Sequence, residues 1–131
     1  MTIPLWCLLG GLVLPYIWAG ASVPFRNKEL GNTDLEQPRL QALSLTGGGA
    51  GAWGAQMNQW EALTVFMGAT LAAFMQNVDP AGGWATASIV WLVARFTHGL
   101  FYILQIPVLR IASFVLGMAM SIWIVVLAVT A

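Results

Sequence analysis

The sequence is poor in charge, in cysteine and in histidine. Only 8% of its 131 residues are Asp, Glu, Lys or Arg, whereas roughly a quarter of the residues of a soluble domain are charged. The formal net charge is zero, which gives no indication of a nucleic acid or of an acidic partner. Cys7 is the single cysteine and excludes an intrachain disulfide, and His98, the single histidine, has no companion for a metal site.

Hydrophobic residues are abundant, at 59% of the chain, and they fall into four long runs. The runs are long enough to cross about 30 Å of hydrocarbon at about 1.5 Å per residue. They cover residues 3–25, 52–75, 84–106 and 110–131. We predict a membrane helix and not a signal peptide for the first run, because no Lys or Arg precedes it.

Residues 26–51 form the clearest aqueous stretch, which carries six charged residues and ends in a glycine-rich run at 47–51. Because glycine is unfavourable in helices, we expect a flexible linker here. No strand precedes the glycines and no GK[ST] follows them, so a phosphate-binding loop is not indicated. The sequence predicts one domain over 1–131, an all-α integral membrane protein with four transmembrane helices in an antiparallel bundle.

The positive charges of the connections predict an orientation. Most Lys and Arg residues lie in the first loop, 26–51, and Arg110 lies at the third connection, on the same side of a four-span bundle. The second connection carries only Asp79. By the positive-inside rule, the first loop is expected to be cytoplasmic.

Polar side chains inside the second and third spans are the candidate functional residues. A charge at the bilayer centre costs about 2.5 to 3.5 kcal/mol on insertion scales. The presence of Glu61 and Arg95 inside predicted spans therefore needs a physical reason. Asn58 and Glu61 are three residues apart and share a helix face. Arg95, His98 and Tyr102 share another, at spacings of three and four. We expect the two stripes to turn toward each other or toward a partner subunit.

Two interpretations of the stripes stay open on these grounds. In a purely structural network, Glu61 and Arg95 neutralise each other, and Asn58 and His98 complete the hydrogen bonds. In a binding site, the same groups hold a ligand. A packing role is favoured over catalysis for His98, and Tyr102 serves equally well as an interfacial anchor.

These residues resemble the MAPEG family, the membrane-associated proteins of eicosanoid and glutathione metabolism. The resemblance rests on QMNQWE at 56–61, ARFTHGLFY at 94–102 and Arg110 at the start of the last helix. The segment ELGNTD at 29–34 is similar to the loop of bacterial members. The resemblance covers the chain nearly end to end. It implies a homotrimer in the bacterial inner membrane that binds glutathione between subunits, near the cytoplasmic side.

The resemblance also implies roles for individual residues. Arg110 would stabilise the glutathione thiolate, which is the nucleophile. The implied activity is that of a glutathione-dependent transferase or peroxidase acting on hydrophobic electrophiles that arrive from the lipid. Lys28 and Arg39 are alternatives to Arg26 as the cation for a glutathione carboxylate. The resemblance implies no metal cofactor. The residues that it implies bind glutathione are Gln56, Asn58, Glu61, Arg95, His98, Tyr102 and Arg26.

One position departs from the family pattern. Many members have an arginine one helical turn before the asparagine, where this chain has Gly54. The loss of such a charge-assisted contact weakens binding by about 1.5 to 3 kcal/mol, or roughly ten- to a hundredfold. A non-catalytic membrane scaffold of the same fold is therefore the second hypothesis. A small proton-coupled exporter that uses Glu61 is the third.

Overall fold

The computed structural model describes all 131 residues and contains five helices and no strand. The predicted all-α class is therefore confirmed. Three of the helices, α1, α4 and α5, are long and apolar enough to cross a membrane, whereas the first half of α3 is rich in glycine and polar side chains. The helices are α1 (Ile3–Leu30), α2 (Pro38–Ala42), α3 (Gly47–Met75), α4 (Gly83–Ile103) and α5 (Pro107–Val129).

The four long helices alternate in direction along the chain. Gly48 lies beside Phe25 and Gly11 beside Leu63, so α3 runs antiparallel to α1. The α3–α4 and α4–α5 pairs alternate in the same way, and α1 is parallel to α4. Because α3 and α4 each pack against all three other long helices, they form the centre of the molecule and carry its buried polar groups.

The core between α3 and α4 is built on a stacked aromatic pair. The rings of Phe66 and Trp91 lie 3.8 Å apart at their centroids, and both side chains are almost completely buried. A Cβ atom on Gly11 of α1 would come within 2.8 Å of the Trp91 ring. Small residues therefore let the helices approach closely, which is how helices associate in a membrane.

The glycine-rich segment 47–51 is helical, and the prediction of a flexible linker there is wrong. These residues form the first turns of α3, where a Cβ on Gly51 would overlap the carbonyl group of Tyr102. A Cβ on Gly48 would lie 2.8 Å from the Phe25 ring. Each glycine costs about 1 kcal/mol of helix propensity, but close packing offsets that cost. Since α1 also continues to Leu30, the connection is shorter than the predicted loop.

Candidate functional site

Arg95 lies in the middle of α4 and is only 1% exposed, and its guanidinium group is held by α3. Its Nε donates to Gln59 Oε1 at 2.9 Å, and its Nη2 donates to Asn58 Oδ1 at 2.7 Å. Gln59 in turn donates from Nε2 to the carbonyl oxygen of Gly11 at 3.4 Å. The network therefore joins α1, α3 and α4 through one buried cation.

Glu61 does not pair directly with Arg95. Its carboxylate is on the exposed side of α3 and accepts one long hydrogen bond, 3.5 Å, from Asn58 Nδ2. The partner that charge and spacing did not predict is Gln59, which is completely buried. The sequence alone did not single it out, because its four-residue spacing from Ala55 shows that the two share a helix face but not that this face is buried.

Arg110 stands in the first turn of α5, with its guanidinium carbon 4.5 Å from the centroid of the Tyr102 ring. This cation–π contact fixes the direction of a long, flexible side chain. His98 Nδ1 lies 2.8 Å from the carbonyl oxygen of Arg110, and since a carbonyl only accepts, Nδ1 is the donor. His98 therefore supports the corner between α4 and α5, while its buried Nε2 has no partner.

Gly54 lets the Tyr102 ring lie close to α3. A Cβ atom at position 54 would approach Tyr102 Cε1 to 2.8 Å, closer than such atoms pack. The tyrosine ring, with Arg110 over it, therefore fills the space into which a longer side chain at position 54 would extend. An arginine introduced at position 54 therefore has to displace the ring.

Gly54→Ala is expected to lower the free energy of unfolding by about 1 to 3 kcal/mol, because the added methyl group overpacks the Tyr102 ring. Gly68→Ala is the matched control, since this helical glycine has no atom within 4 Å of an added Cβ. The control is expected to be neutral or to stabilise by about 0.5 to 1 kcal/mol. Thermal unfolding of both variants in one detergent measures the difference, and equal shifts would refute the packing argument.

Gln56 and Arg26 lie apart from these residues, across α3. At about 100° per residue, Gln56 points roughly 160° away from Asn58. Gln56 and Arg26 line a cavity of about 270 Å³ between α1, α2 and α3. The structure thus separates the predicted site residues into two groups. One group comprises Gln56 and Arg26, and the other comprises Asn58, Glu61, Arg95, His98, Tyr102 and Arg110.

Arg26 is 5% exposed and ties α2 to α1. Its Nε donates to Ser22 Oγ at 3.2 Å, and its Nη1 donates to the carbonyl oxygen of Pro38 at 2.6 Å and to Gln41 Oε1 at 3.0 Å. Gln41 also donates from Nε2 to the carbonyl oxygen of Asn32 at 2.8 Å. Arg26 therefore organises the connection between the first two long helices, a role that its position in the sequence did not indicate.

The family model for the MAPEG family matches residues 3–130, nearly the whole chain. Comparison with curated proteins and with solved structures gave no match. The match confirms the resemblance drawn from residues 56–61 and 94–102. Together with the three apolar helices, it identifies an integral protein of a lipid bilayer. The chain therefore belongs to the MAPEG family, whose members include glutathione-dependent transferases.

Proposed function

We propose that this protein is a glutathione-dependent membrane transferase or peroxidase that acts on hydrophobic electrophiles. The observation that carries the proposal is Arg110 held over Tyr102, at the end of a polar stripe that continues through Arg95 into α3. A fixed cation beside a thiol lowers the pKa of that thiol. Glutathione bound with its sulfur at Arg110 is therefore held as the thiolate, the nucleophile for both reactions.

The groups on α3 suit the γ-glutamyl end of glutathione. Arg95 Nη2 fixes Asn58 Oδ1, which leaves the amide Nδ2 directed to the side of Glu61. The Glu61 carboxylate is exposed and has only one long hydrogen bond, so it is free to accept from the ligand's ammonium group. Arg95 is then a positioning residue, and Asn58 and Glu61 are the contacts with the ligand.

The separation of the candidate residues supports a glutathione site between subunits, and the family resemblance adds that the assembly is a homotrimer. A helix with its side chains is about 10 to 12 Å across, so one small ligand does not reach both edges of α3 in the same copy. Two copies complete a site when Gln56 and Arg26 of one face Asn58 and Arg110 of the next. An exposed Glu61 facing lipid would cost about 2.5 to 3.5 kcal/mol, which a neighbouring subunit removes.

We further propose that all four long helices cross a bacterial inner membrane as the single domain 1–131. The polar first half of α3 is then shielded by α4 and by the neighbouring copy. The end of the molecule that carries Arg26, Lys28, Arg39 and Arg110 faces the cytoplasm by the positive-inside rule. The hydrophobic electrophile reaches the thiolate from the lipid.

Calorimetric titration of the detergent-purified protein with glutathione tests this proposal. We expect saturable binding with a dissociation constant in the millimolar range or below, and at least tenfold weaker binding for Glu61→Gln, which removes the charge that meets the ammonium group. Lys28→Gln is the control, since the structure leaves Lys28, an alternative cation on sequence grounds, exposed on the surface and outside the cavity that Arg26 and Gln56 line. No heat of binding at millimolar glutathione would overturn the proposal.

A non-catalytic membrane scaffold is the second candidate function. It is favoured by Gly54 and the Tyr102 ring, which leave no place for the arginine that many family members use. It predicts that glutathione leaves the melting temperature unchanged, because a ligand that does not bind the folded state cannot stabilise it. A rise in melting temperature with glutathione would count against this candidate.

A further inference from the structure

We propose that Gln105 is a positioning residue for Arg110. Its side chain holds the corner between α4 and α5 against the start of α3, and through this corner it sets the place of the guanidinium group. Gln105 itself contacts no ligand. The inference rests on the proposed function and deepens it, because Arg110 is the residue that stabilises the thiolate there.

The backbone at Gln105 has a left-handed conformation that favours glycine. Its φ is 58°, directly after the C-cap of α4. The N–H of Ile106 donates to the carbonyl oxygen of Phe101 at 3.0 Å. The N–H of Gln105 donates to the carbonyl oxygen of Tyr102 at 3.3 Å. These bonds form a Schellman motif, in which glycine or asparagine is the usual residue at this position. A glutamine here is strained, and its side chain is the place to look for the reason.

The end of α3 has the same motif with a residue that suits it. The N–H of Val78 donates to the carbonyl oxygen of Ala73 at 3.1 Å. Asn77, with a φ of 54°, donates its N–H to the carbonyl oxygen of Phe74 at 3.2 Å. Asparagine tolerates this conformation better than other side chains do. The chain therefore has a favourable residue at the end of α3 and an unfavourable one at the end of α4.

The side chain of Gln105 joins the end of α4 to the start of α3. Its Nε2 donates to the carbonyl oxygen of Tyr102 at 2.8 Å and to that of Gly47 at 3.1 Å. Since a carbonyl oxygen only accepts, the NH₂ end of the amide faces both. Gly47 is the first residue of α3, and Tyr102 lies in the last turn of α4. Glycine has no side chain for this bridge, and asparagine is one methylene group shorter.

The start of α3 is itself held by α1. The backbone N–H and Oγ1 of Thr46 donate to Glu29 Oε2 at 2.9 and 3.0 Å. A Cβ on Gly51 would overlap the carbonyl group of Tyr102, so α3 and α4 are in direct backbone contact here. The bridge from Gln105 therefore ties the last turn of α4 to a segment that α1 also anchors.

Tyr102 connects this bridge to Arg110. Its carbonyl oxygen accepts from Gln105, and its ring lies under the Arg110 guanidinium group. The N–H of Arg110 donates to the carbonyl oxygen of Ile106 at 3.0 Å, directly after the strained residue. A shift of this backbone therefore moves the ring and the start of α5 together. A displacement of about 1 Å at a reacting group can cost up to about 10²-fold in rate.

Gln105→Asn tests the inference, because asparagine keeps an amide and accepts the left-handed backbone but is too short to bridge to Gly47. We expect the turnover number of glutathione conjugation to fall about tenfold. The ultraviolet absorbance of bound thiolate is expected to appear at higher pH than in the wild type, since a displaced cation lowers the pKa of the thiol less. The melting temperature is expected not to fall, because the strain is relieved.

Gln105→Gly removes both the side chain and the strain, and it is expected to behave like Gln105→Asn. Asn77→Gly is the matched control, since it changes the same motif at the opposite end of the molecule and is expected to leave turnover and the thiolate titration unchanged. The inference is overturned if both Gln105 variants keep the turnover and thiolate titration of the wild type. It is also overturned if they lose them only together with a lower melting temperature.

Hydrogen exchange distinguishes a failure of this inference from a failure of the proposed function. If the wild type shows no thiolate signal, the proposed function fails. The exchange rates of the backbone amides at 101–110, measured in nanodiscs, then decide whether Gln105 holds the corner. We expect faster exchange there in Gln105→Asn than in the wild type and in Asn77→Gly. Equal protection in all three proteins would overturn the role of Gln105.

Discussion

Arg110→Ala is expected to lower the turnover number of glutathione conjugation by about 10²- to 10³-fold, the usual effect of removing one preorganised group that stabilises a developing or fixed anion. The reason is geometric, since the Tyr102 ring and the His98 contact hold the start of α5 so that this guanidinium has one direction. The measurement is the rate of conjugation of a hydrophobic aryl halide by the protein in liposomes.

The ultraviolet absorbance of bound thiolate provides an independent readout of the same prediction. It is expected to appear when glutathione is added to the wild type and to be absent in Arg110→Ala. Arg110→Lys keeps the charge but not the planar group over Tyr102, and we expect it to retain part of the thiolate signal. A variant Arg110→Ala with wild-type turnover and thiolate absorbance would show that Arg110 has no part in the chemistry.

Arg95→Leu is expected to lower the free energy of unfolding by about 3 kcal/mol, because it leaves one buried and one half-buried amide oxygen without the donor. These are Gln59 Oε1 and Asn58 Oδ1, which now accept from the guanidinium group at 2.9 and 2.7 Å. Gln59→Leu is expected to destabilise as well, since it leaves the buried Nε of Arg95 unpaired. Thermal unfolding in a single detergent measures both effects.

The double variant separates a network from independent contributions. The double variant Arg95→Leu with Gln59→Leu is expected to lose less free energy of unfolding than the two single variants lose together. The difference is expected to be about 1 to 3 kcal/mol, because both ends of the buried hydrogen bond are then apolar. Strictly additive losses would mean that the two side chains do not act together. If the double variant is about as stable as the wild type, the network is not needed for stability and serves function instead.

The sequence was most informative where polar side chains interrupt apolar helices. The spacing of Arg95, His98 and Tyr102 predicted one stripe, and all three do meet α3 or α5 on one side of α4. Burying charge in an apolar segment is expensive, so such residues stand out without a structure. The family resemblance rests on the same residues, which is why it was visible from the sequence.

What the sequence did not predict depends on contacts between helices. Helix propensity argued against a helix at 47–51, but the close approach of Phe25 and Tyr102 outweighs it. Glu61 was the obvious partner of Arg95 by charge, but Gln59 occupies the inward position that reaches the guanidinium group. Such choices are set by the rotation of α3 within the molecule, which no local pattern specifies.

The division of candidate residues between two edges of α3 follows from helical spacing, although the family resemblance had grouped all of them as ligands of one molecule. Gln56 and Asn58 are only two positions apart, yet two positions on a helix place side chains on nearly opposite sides. Under the proposed function, neither group is a whole site in one copy. The proposed glutathione site therefore requires an assembly of copies. An experiment that locates the bound glutathione also tests whether a neighbouring subunit completes the site.

A density map of the protein in nanodiscs with millimolar glutathione tests the central proposal most directly. The account predicts density of tripeptide length between two copies. Its sulfur lies next to Arg110 of one copy, and its carboxylate end points toward Gln56 of the other. A map in which glutathione is absent, or in which its sulfur lies away from Arg110, would contradict the account.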